Sequence, residues 1–143
     1  DVVAAVLKEQ GGNPARALRA VKELTEWVGR PDWRDILPAF ARCVRITRDQ
    51  PERHPFNEKL LYEPAEIELN KAFSEMEKSP RKPGSTNDVL KTFLPIIGVV
   101  NEFFDKVLVM AEDRQVRANR LGLLQRIAAL AEGVADFSQL DGF

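Results

Sequence analysis

The chain has 143 residues, a formal net charge of -1 and 44% hydrophobic residues, which suits one globular domain and excludes a disordered or membranous protein. Its single cysteine, Cys43, excludes an internal disulfide, and with the single histidine, His54, it is too few for a Cys/His zinc site. The near-neutral charge means that nucleic acid could bind only through a local patch of cations. We therefore predict no metal site, and such sparing use of cysteine favours the cytoplasm.

Hydrophobic periodicity along almost the whole chain predicts an all-α protein, a helical bundle of about six to seven helices. The first helix ends at Gly11, and its predicted buried stripe consists of Val2, Val3, Val6 and Leu7. Asn13 followed by Pro14 is a strong start for the second helix, because an N-cap side chain precedes proline at the first helical position.

The third helix carries the most informative pattern of charge. It is predicted from about Trp33 to Asp49, with Pro38 inside it. At about 100° per residue, four arginines fall within an arc of roughly 120° opposite the apolar side, namely Arg34, Arg42, Arg45 and Arg48. Guanidinium groups pair with phosphates and stack on bases. The row is therefore either a solvated helix face or a surface for nucleic acid.

The middle of the chain predicts a loop, a short turn at residues 56–62, and a helix beginning at Pro64. Ser79 to Asn87 is predicted as a surface loop, because it contains two prolines, a glycine and several small polar residues. Asp88 is then the predicted N-cap of the most apolar helix, which extends to about Leu108 with kinks at Pro95 and Gly98.

The last long helix is predicted to open at Glu112 and Asp113. Helical spacing places Arg120 within its apolar stripe, so we predict a buried, structural arginine paired with Asp105 or Asp136. Arg117 lies nearer the edge of that stripe and could instead contact a ligand.

No constellation of residues predicts catalysis. Three acids, Glu63, Glu66 and Glu68, are explained by solvation and the dipole of a helix start. His54 is expected to be exposed in a loop, and Cys43 to be a buried, inert thiol. The sequence also lacks the glycine-rich phosphate loop and the G-x-S-x-G motif.

Several runs in the chain resemble the end of bacterial glycyl-tRNA synthetase beta subunits. They are NEFFDKVLVMAED at 101–113, VRANRLGLL at 116–124 and VADFS at 134–138. FARCVRITR at 40–48 is similar to the basic helix of that family, although Arg45-Ile46 stand where the family often has an asparagine. LYEPAE at 61–66 is similar to its L-F-x-x-P-x-E segment.

This resemblance implies one DALR-type anticodon-binding domain over residues 1–143, cut from a longer chain and related in outline to domains of arginyl- and cysteinyl-tRNA synthetases. It implies no catalytic residue and no cofactor here, since glycine, ATP and Mg would bind in the alpha subunit or a fused alpha portion. The implied partners are the anticodon arm of glycine tRNA, the rest of the beta subunit and the alpha subunit, with no membrane. Glycine anticodons share C at their second and third positions.

The resemblance favours the arginine row as the tRNA-binding surface, with Arg42, Arg45 and Arg48 as its centre and Arg34 and Arg117 as further candidates. A helical protein-interaction module within a synthetase would instead expose an apolar groove and bind its partner regardless of salt. A stand-alone enzyme would need a pocket with a perturbed titratable pair. The FFDKV and VADFS runs argue against the anticodon domain of an arginyl-type synthetase.

Overall fold

The computed structural model describes all residues from 1 to 143 and contains seven α-helices and no β-strand, which confirms the predicted all-α class. The helices are α1 (Val2–Gln10), α2 (Pro14–Val28), α3 (Trp33–Thr47), α4 (Pro64–Glu77), α5 (Thr86–Phe93), α6 (Ile97–Lys106) and α7 (Arg114–Ala128). Short 3₁₀ turns lie at Glu58–Leu60, Leu94–Ile96, Ala129–Ala131 and Phe137–Gln139. None of the helices has the length and apolar character needed to cross a membrane.

Side-chain caps fix where most helices begin. The Asn13 side chain accepts a hydrogen bond from the Arg16 amide at 3.1 Å, as the Asn-Pro pair predicts for the start of α2. The predicted cap of α5 is wrong. Ser85 caps this helix by accepting from the Asp88 amide, while the Asp88 carboxylate accepts from the Lys82 amide at 2.8 Å. The helix therefore begins at Thr86, and Asp88 lies in its first turn.

The apolar stretch from 88 to 108 does not form one kinked helix, as the sequence predicts. It forms α5, a 3₁₀ turn containing Pro95, and α6, after which Val107 is extended. Proline has no amide hydrogen and its ring collides with the carbonyl four residues earlier, so Pro95 favours a break here, although Pro38 is accommodated within α3. The break lets the two short helices bury their apolar sides against different neighbours.

One hydrophobic cluster of 32 buried residues extends from Ala5 to Leu140. In it α3 is central and packs on α6, α7 and the 3₁₀ turn at Phe137–Gln139. The ring of Phe40 on α3 lies edge-on to the rings of Phe93 at 5.3 Å and Phe137 at 5.2 Å. Edge-to-face aromatic contacts stabilise a core beyond the effect of buried area alone. Phe40 therefore anchors the helix that carries the arginine row.

The predicted stripe of α1 is only partly buried. Val6 and Ala5 are fully buried, whereas Val3 and Leu7 are about half exposed. The reason is tertiary, since α1 packs on α2 and on the turn at Phe137–Gln139 and so buries a narrower side than its sequence offers.

The thiol of Cys43 provides a test of core packing. The residue is fully buried, and burial raises the pKa of the thiol to about 12 despite the nearby charge of Arg42. Only the thiolate attacks disulfide reagents. We therefore expect native protein at about pH 8 not to react with a chromogenic disulfide reagent, and unfolded protein to react fully. Stoichiometric labelling of the native chain within seconds would contradict this packing.

Candidate nucleic-acid interface

The arginine row occupies the outer side of α3, which stays continuous through Pro38. Its inner side carries the buried residues Ile36, Leu37, Phe40, Cys43 and Thr47. Arg34, Arg45 and Arg48 are exposed, and Arg42 is half-buried. None of the four guanidinium groups forms an ion pair with a carboxylate. The row is therefore a local concentration of positive charge that the protein itself leaves without a paired acid.

Two aromatic rings from outside α3 lie against the arginines of this row. The Arg42 guanidinium is 4.5 Å from the centroid of the Phe104 ring on α6. The Arg45 guanidinium is 5.8 Å from the centroid of the Phe143 ring, and its Nε donates to the Ala41 carbonyl at 3.4 Å. Cation–π contacts of this kind restrict the positions of the guanidinium groups. Phe104 was predicted only as part of an apolar helix, so no local signal identified it.

The last residues of the chain pack across α3. Phe137 contacts Phe40, and a Cβ built on Gly142 would lie 3.9 Å from the Leu37 side chain. Ala41 lies inside the arginine arc on the helical wheel and is nevertheless fully buried. The outer side of α3 is thus not solvated throughout, because Ala41 is buried within it and the Phe143 ring lies against Arg45.

Arg48 opens onto a groove of about 380 Å³ between the ends of α3 and α7, which residues 50–53 and 131–138 complete. The loop at its edge is tied to α7, because the Gln125 side chain accepts from the His54 amide at 2.8 Å and donates to the Glu52 carbonyl at 2.9 Å. A Cβ at Gly122 would lie only 2.8 Å from the His54 carbonyl oxygen. Glycine at 122 therefore permits the close approach of loop and helix. His54 is half-buried here rather than exposed.

Three of the four acids that line this groove are held by other groups, and the fourth, Glu52, is exposed and forms no ion pair. Glu132 pairs with Arg53, and Asp136 pairs with Lys8 at 2.5 Å. Glu9 accepts a hydrogen bond from the Gly133 amide at 2.9 Å. Of the two arginines that line the groove, Arg53 is paired with Glu132, so Arg48 is the one that forms no ion pair.

Asp136 gives a prediction of pH dependence. Burial by itself raises the pKa of this carboxyl, but the hydrogen bonds from Lys8 and Ser138 outweigh burial and lower the pKa below its usual range. A lowered folded-state pKa contributes stability at pH values above the unfolded pKa, and that stability is lost as pH falls through the folded pKa. We expect Asp136→Asn to lower the midpoint of urea unfolding at about pH 6 and to have a much smaller effect at about pH 3. An equal difference at both pH values would contradict this.

Arg120 pairs with a different acid from those predicted. It is 8% exposed, its Nε donates to the Glu66 carboxylate, and its Nη1 donates to the Leu108 carbonyl at 2.6 Å. The second oxygen of Glu66 accepts from the Tyr62 amide at 3.1 Å. Asp105 is exposed and Asp136 binds Lys8, so neither is the partner.

Glu66 itself differs from its prediction as a solvated acid at a helix start, because it is 0% exposed. Packing of α4 on α7 brings its carboxylate against the Arg120 guanidinium. Arg117 is half-buried, and its Nη1 donates to the Ala111 carbonyl at 3.1 Å. This bond ties Arg117 to the segment before α7, and no hydrogen bond or ring contact joins it to the row on α3.

Comparison with known proteins identifies a family that the sequence matches. The sequence matches the family described as DALR anticodon binding domain over residues 36–135, which is more than half of the chain. It is 37% identical over 145 residues to a glycine–tRNA ligase beta subunit of Anaeromyxobacter dehalogenans, covering 98% of this chain and 21% of that protein.

Further relatives bear the same description. The beta subunit of Moorella thermoacetica is 35% identical over 143 residues, covering 98% of this chain and 21% of that protein. The beta subunit of Aquifex aeolicus is 33% identical over 141 residues, covering 98% of this chain and 20% of that protein. The chain thus spans about a fifth of the length of the curated relatives that it matches.

Proposed function

The chain belongs to the DALR anticodon-binding domain family, and we propose that it binds the anticodon arm of glycine tRNA as one domain of a glycine–tRNA ligase beta subunit. The observation that carries this proposal is the arginine row. Arg42, Arg45 and Arg48 all lie within the matched residues 36–135, and none of them is paired with an acid. The relatives are described as glycine–tRNA ligases, so an arginyl-type domain is not favoured.

The geometry of the row suits an RNA loop. Proteins read single-stranded RNA by stacking unstacked bases on aromatic or guanidinium planes and by bonding the base edges. In this protein the rings of Phe104 and Phe143 lie against the guanidinium groups of Arg42 and Arg45, and Arg48 lines the adjacent groove. We assign to these arginines the two cytosines that glycine anticodons share and the phosphates beside them.

In this proposal the domain positions the tRNA and does not itself form the ester bond. Glycine and ATP with Mg would be bound elsewhere in the ligase, by an alpha subunit or a fused alpha portion, and the remainder of the beta subunit would add contacts to the tRNA in the cytoplasm. Since the net charge of this chain is only -1, its own affinity for RNA should be weak and should fall steeply with added salt.

The decisive experiment is titration of the chain at low salt with a glycine tRNA anticodon stem-loop and with the same stem-loop lacking both cytosines. We expect the native loop to bind about tenfold more tightly, a difference of about 1.4 kcal/mol. Equal affinity for both loops would contradict reading of the bases and would leave only attraction to phosphates. Absence of binding to either loop would contradict the proposal for this chain as a whole.

A further inference from the structure

A second groove, of about 360 Å³, lies beside the first one on the same surface. It is formed by the end of α4, the loop at 81–84 and the end of α7. Both grooves are lined by Ala129 and Glu132, so they are neighbours that share one rim. The ion pair between Glu132 and Arg53 lies at this boundary.

Two cations in the second groove have no acidic partner. Arg126 is fully engaged, because it pairs with Glu77 at 2.6 Å and lies 5.0 Å from the ring centroids of both Phe56 and Phe73. By contrast, Arg81 and Lys82 form no ion pair. The Nη1 atom of Arg81 is buried and has no hydrogen-bond acceptor in the protein. A buried guanidinium nitrogen without an acceptor is costly, so a side-chain movement that brought it to an anion in the groove would relieve that cost.

Helix α2 adds further positive charge to the same loop. Arg19 donates to the Pro83 carbonyl at 3.0 Å. Arg16 donates to the Gln10 side chain at 2.9 Å, and Gln10 in turn donates to the Gly84 carbonyl at 2.9 Å. Two arginines of α2 therefore lie beside the loop, and one of them, Arg19, is also paired with Glu23 at 4.0 Å.

The loop that carries Arg81 and Lys82 is held in one conformation. Gly84 has a φ of 76°, and a Cβ at this position would collide with the side chains of Gln10 and Arg16. Acids near the loop bind its backbone and hydroxyl groups. Glu23 accepts hydrogen bonds from residues 85, 86 and 87, and Asp88 accepts from the Lys82 amide. These acids hold the loop in place, which pre-organises its cations for a ligand.

We propose that this second groove binds backbone phosphates of the RNA whose loop is read at α3, independently of base sequence. The inference rests on the proposed function, because it takes the RNA to be the same molecule. A strand leaving Arg48 and passing the Glu132–Arg53 pair enters the groove that Arg81 and Lys82 line. Phosphate is the RNA group that an unpaired guanidinium and an ammonium recognise without reading sequence.

The test compares Arg81→Ala/Lys82→Ala with a control variant, Lys59→Ala/Lys71→Ala, in the 143-residue chain. Both control lysines are exposed and unpaired, and Lys71 lies on the side of α4 away from Phe73. We expect the groove variant to bind the native and the cytosine-replaced stem-loops each about tenfold more weakly. Its log affinity should depend on log salt with a slope smaller by about 1 to 2. The control should bind like the unmodified chain.

The outcomes separate this inference from the proposed function. Unchanged RNA affinity of the groove variant at every salt concentration would overturn the inference, even if the native loop is still preferred. Binding of inorganic phosphate that the variant loses, with RNA affinity unchanged, would show a small-anion site and would also overturn it. If the unmodified chain binds both stem-loops equally and the groove variant still binds both more weakly, only the proposed function of the α3 row is overturned.

A second variant guards against local unfolding of the loop. Lys82→Glu keeps Arg81 and changes only an exposed side chain. We expect this variant to bind both stem-loops more weakly, by at least as much as the loss of one phosphate contact would cause. Its midpoint of thermal unfolding should be unchanged. Full RNA affinity of Lys82→Glu would count against the inference whatever the Arg81→Ala/Lys82→Ala variant does.

Discussion

Replacement of Glu66 by alanine is expected to lower the free energy of unfolding by about 3–5 kcal/mol. The substitution leaves the guanidinium of Arg120 buried, at 8% exposure, without its carboxylate. It also removes the acceptor of the Tyr62 amide. Removing one member of a buried ion pair is costly because the remaining charge stays desolvated without compensation. In a chain of this length we expect the melting temperature to fall by about 10 °C or more.

Urea and thermal unfolding of four variants check this prediction. Glu68→Ala is the matched control, since Glu68 is exposed on the same helix and forms no ion pair, and we expect a change below about 0.5 kcal/mol. The stability of Glu66→Gln should lie between those of Glu66→Ala and Glu68→Ala, because glutamine keeps a hydrogen-bond acceptor and the side-chain shape. Glu66→Leu combined with Arg120→Met should recover part of the loss, since no buried charge remains. A Glu66→Ala protein as stable as Glu68→Ala would contradict the role given to the pair.

Replacement of Arg45 and Arg48 together by alanine is expected to raise the dissociation constant for the glycine anticodon stem-loop about 30-fold or more. A guanidinium that stacks on a base or pairs with a phosphate contributes about 1–3 kcal/mol. Both side chains are exposed, and neither forms an ion pair. Their loss should therefore reduce binding without unfolding the chain. The preference for the native loop over the cytosine-replaced loop should decrease at the same time.

The Lys59→Ala/Lys71→Ala variant removes the same amount of charge elsewhere and should keep both affinity and preference. Arg42 needs separate treatment, because its guanidinium packs on Phe104 and helps to hold α3 against α6. Arg42→Lys keeps the charge and loses the guanidinium contact with the Phe104 ring, so we expect weaker binding with a small loss of stability. If Arg45→Ala/Arg48→Ala and Lys59→Ala/Lys71→Ala bind equally well, the row on α3 is not the RNA surface.

Local signals in the sequence were sufficient where the physical cause is also local. Asn13 beside Pro14 begins α2, and Asp113 caps α7 by accepting from the amides of Gln115 and Val116. Each of these groups satisfies backbone hydrogen bonds only two or three residues away. The choice between two nearby capping residues was harder to predict, since Ser85 and Asp88 both suit a helix start. In the structure the Asp88 carboxylate accepts a hydrogen bond from the Lys82 amide, and Ser85 caps the helix.

Sequence by itself determined the all-α class, the row of arginines on the third helix, the apolar surroundings of Arg120 and the resemblance to an anticodon-binding family. These follow from helical periodicity and from ordered runs of residues. Only the tertiary structure decided that Glu66, 54 residues away, pairs with Arg120, that Phe104 and Phe143 support the arginines, and that Arg81 and Lys82 line a groove beside Arg48. The physical reason is that burial and charge pairing depend on which helix faces pack together, and periodicity within one helix does not specify its neighbour.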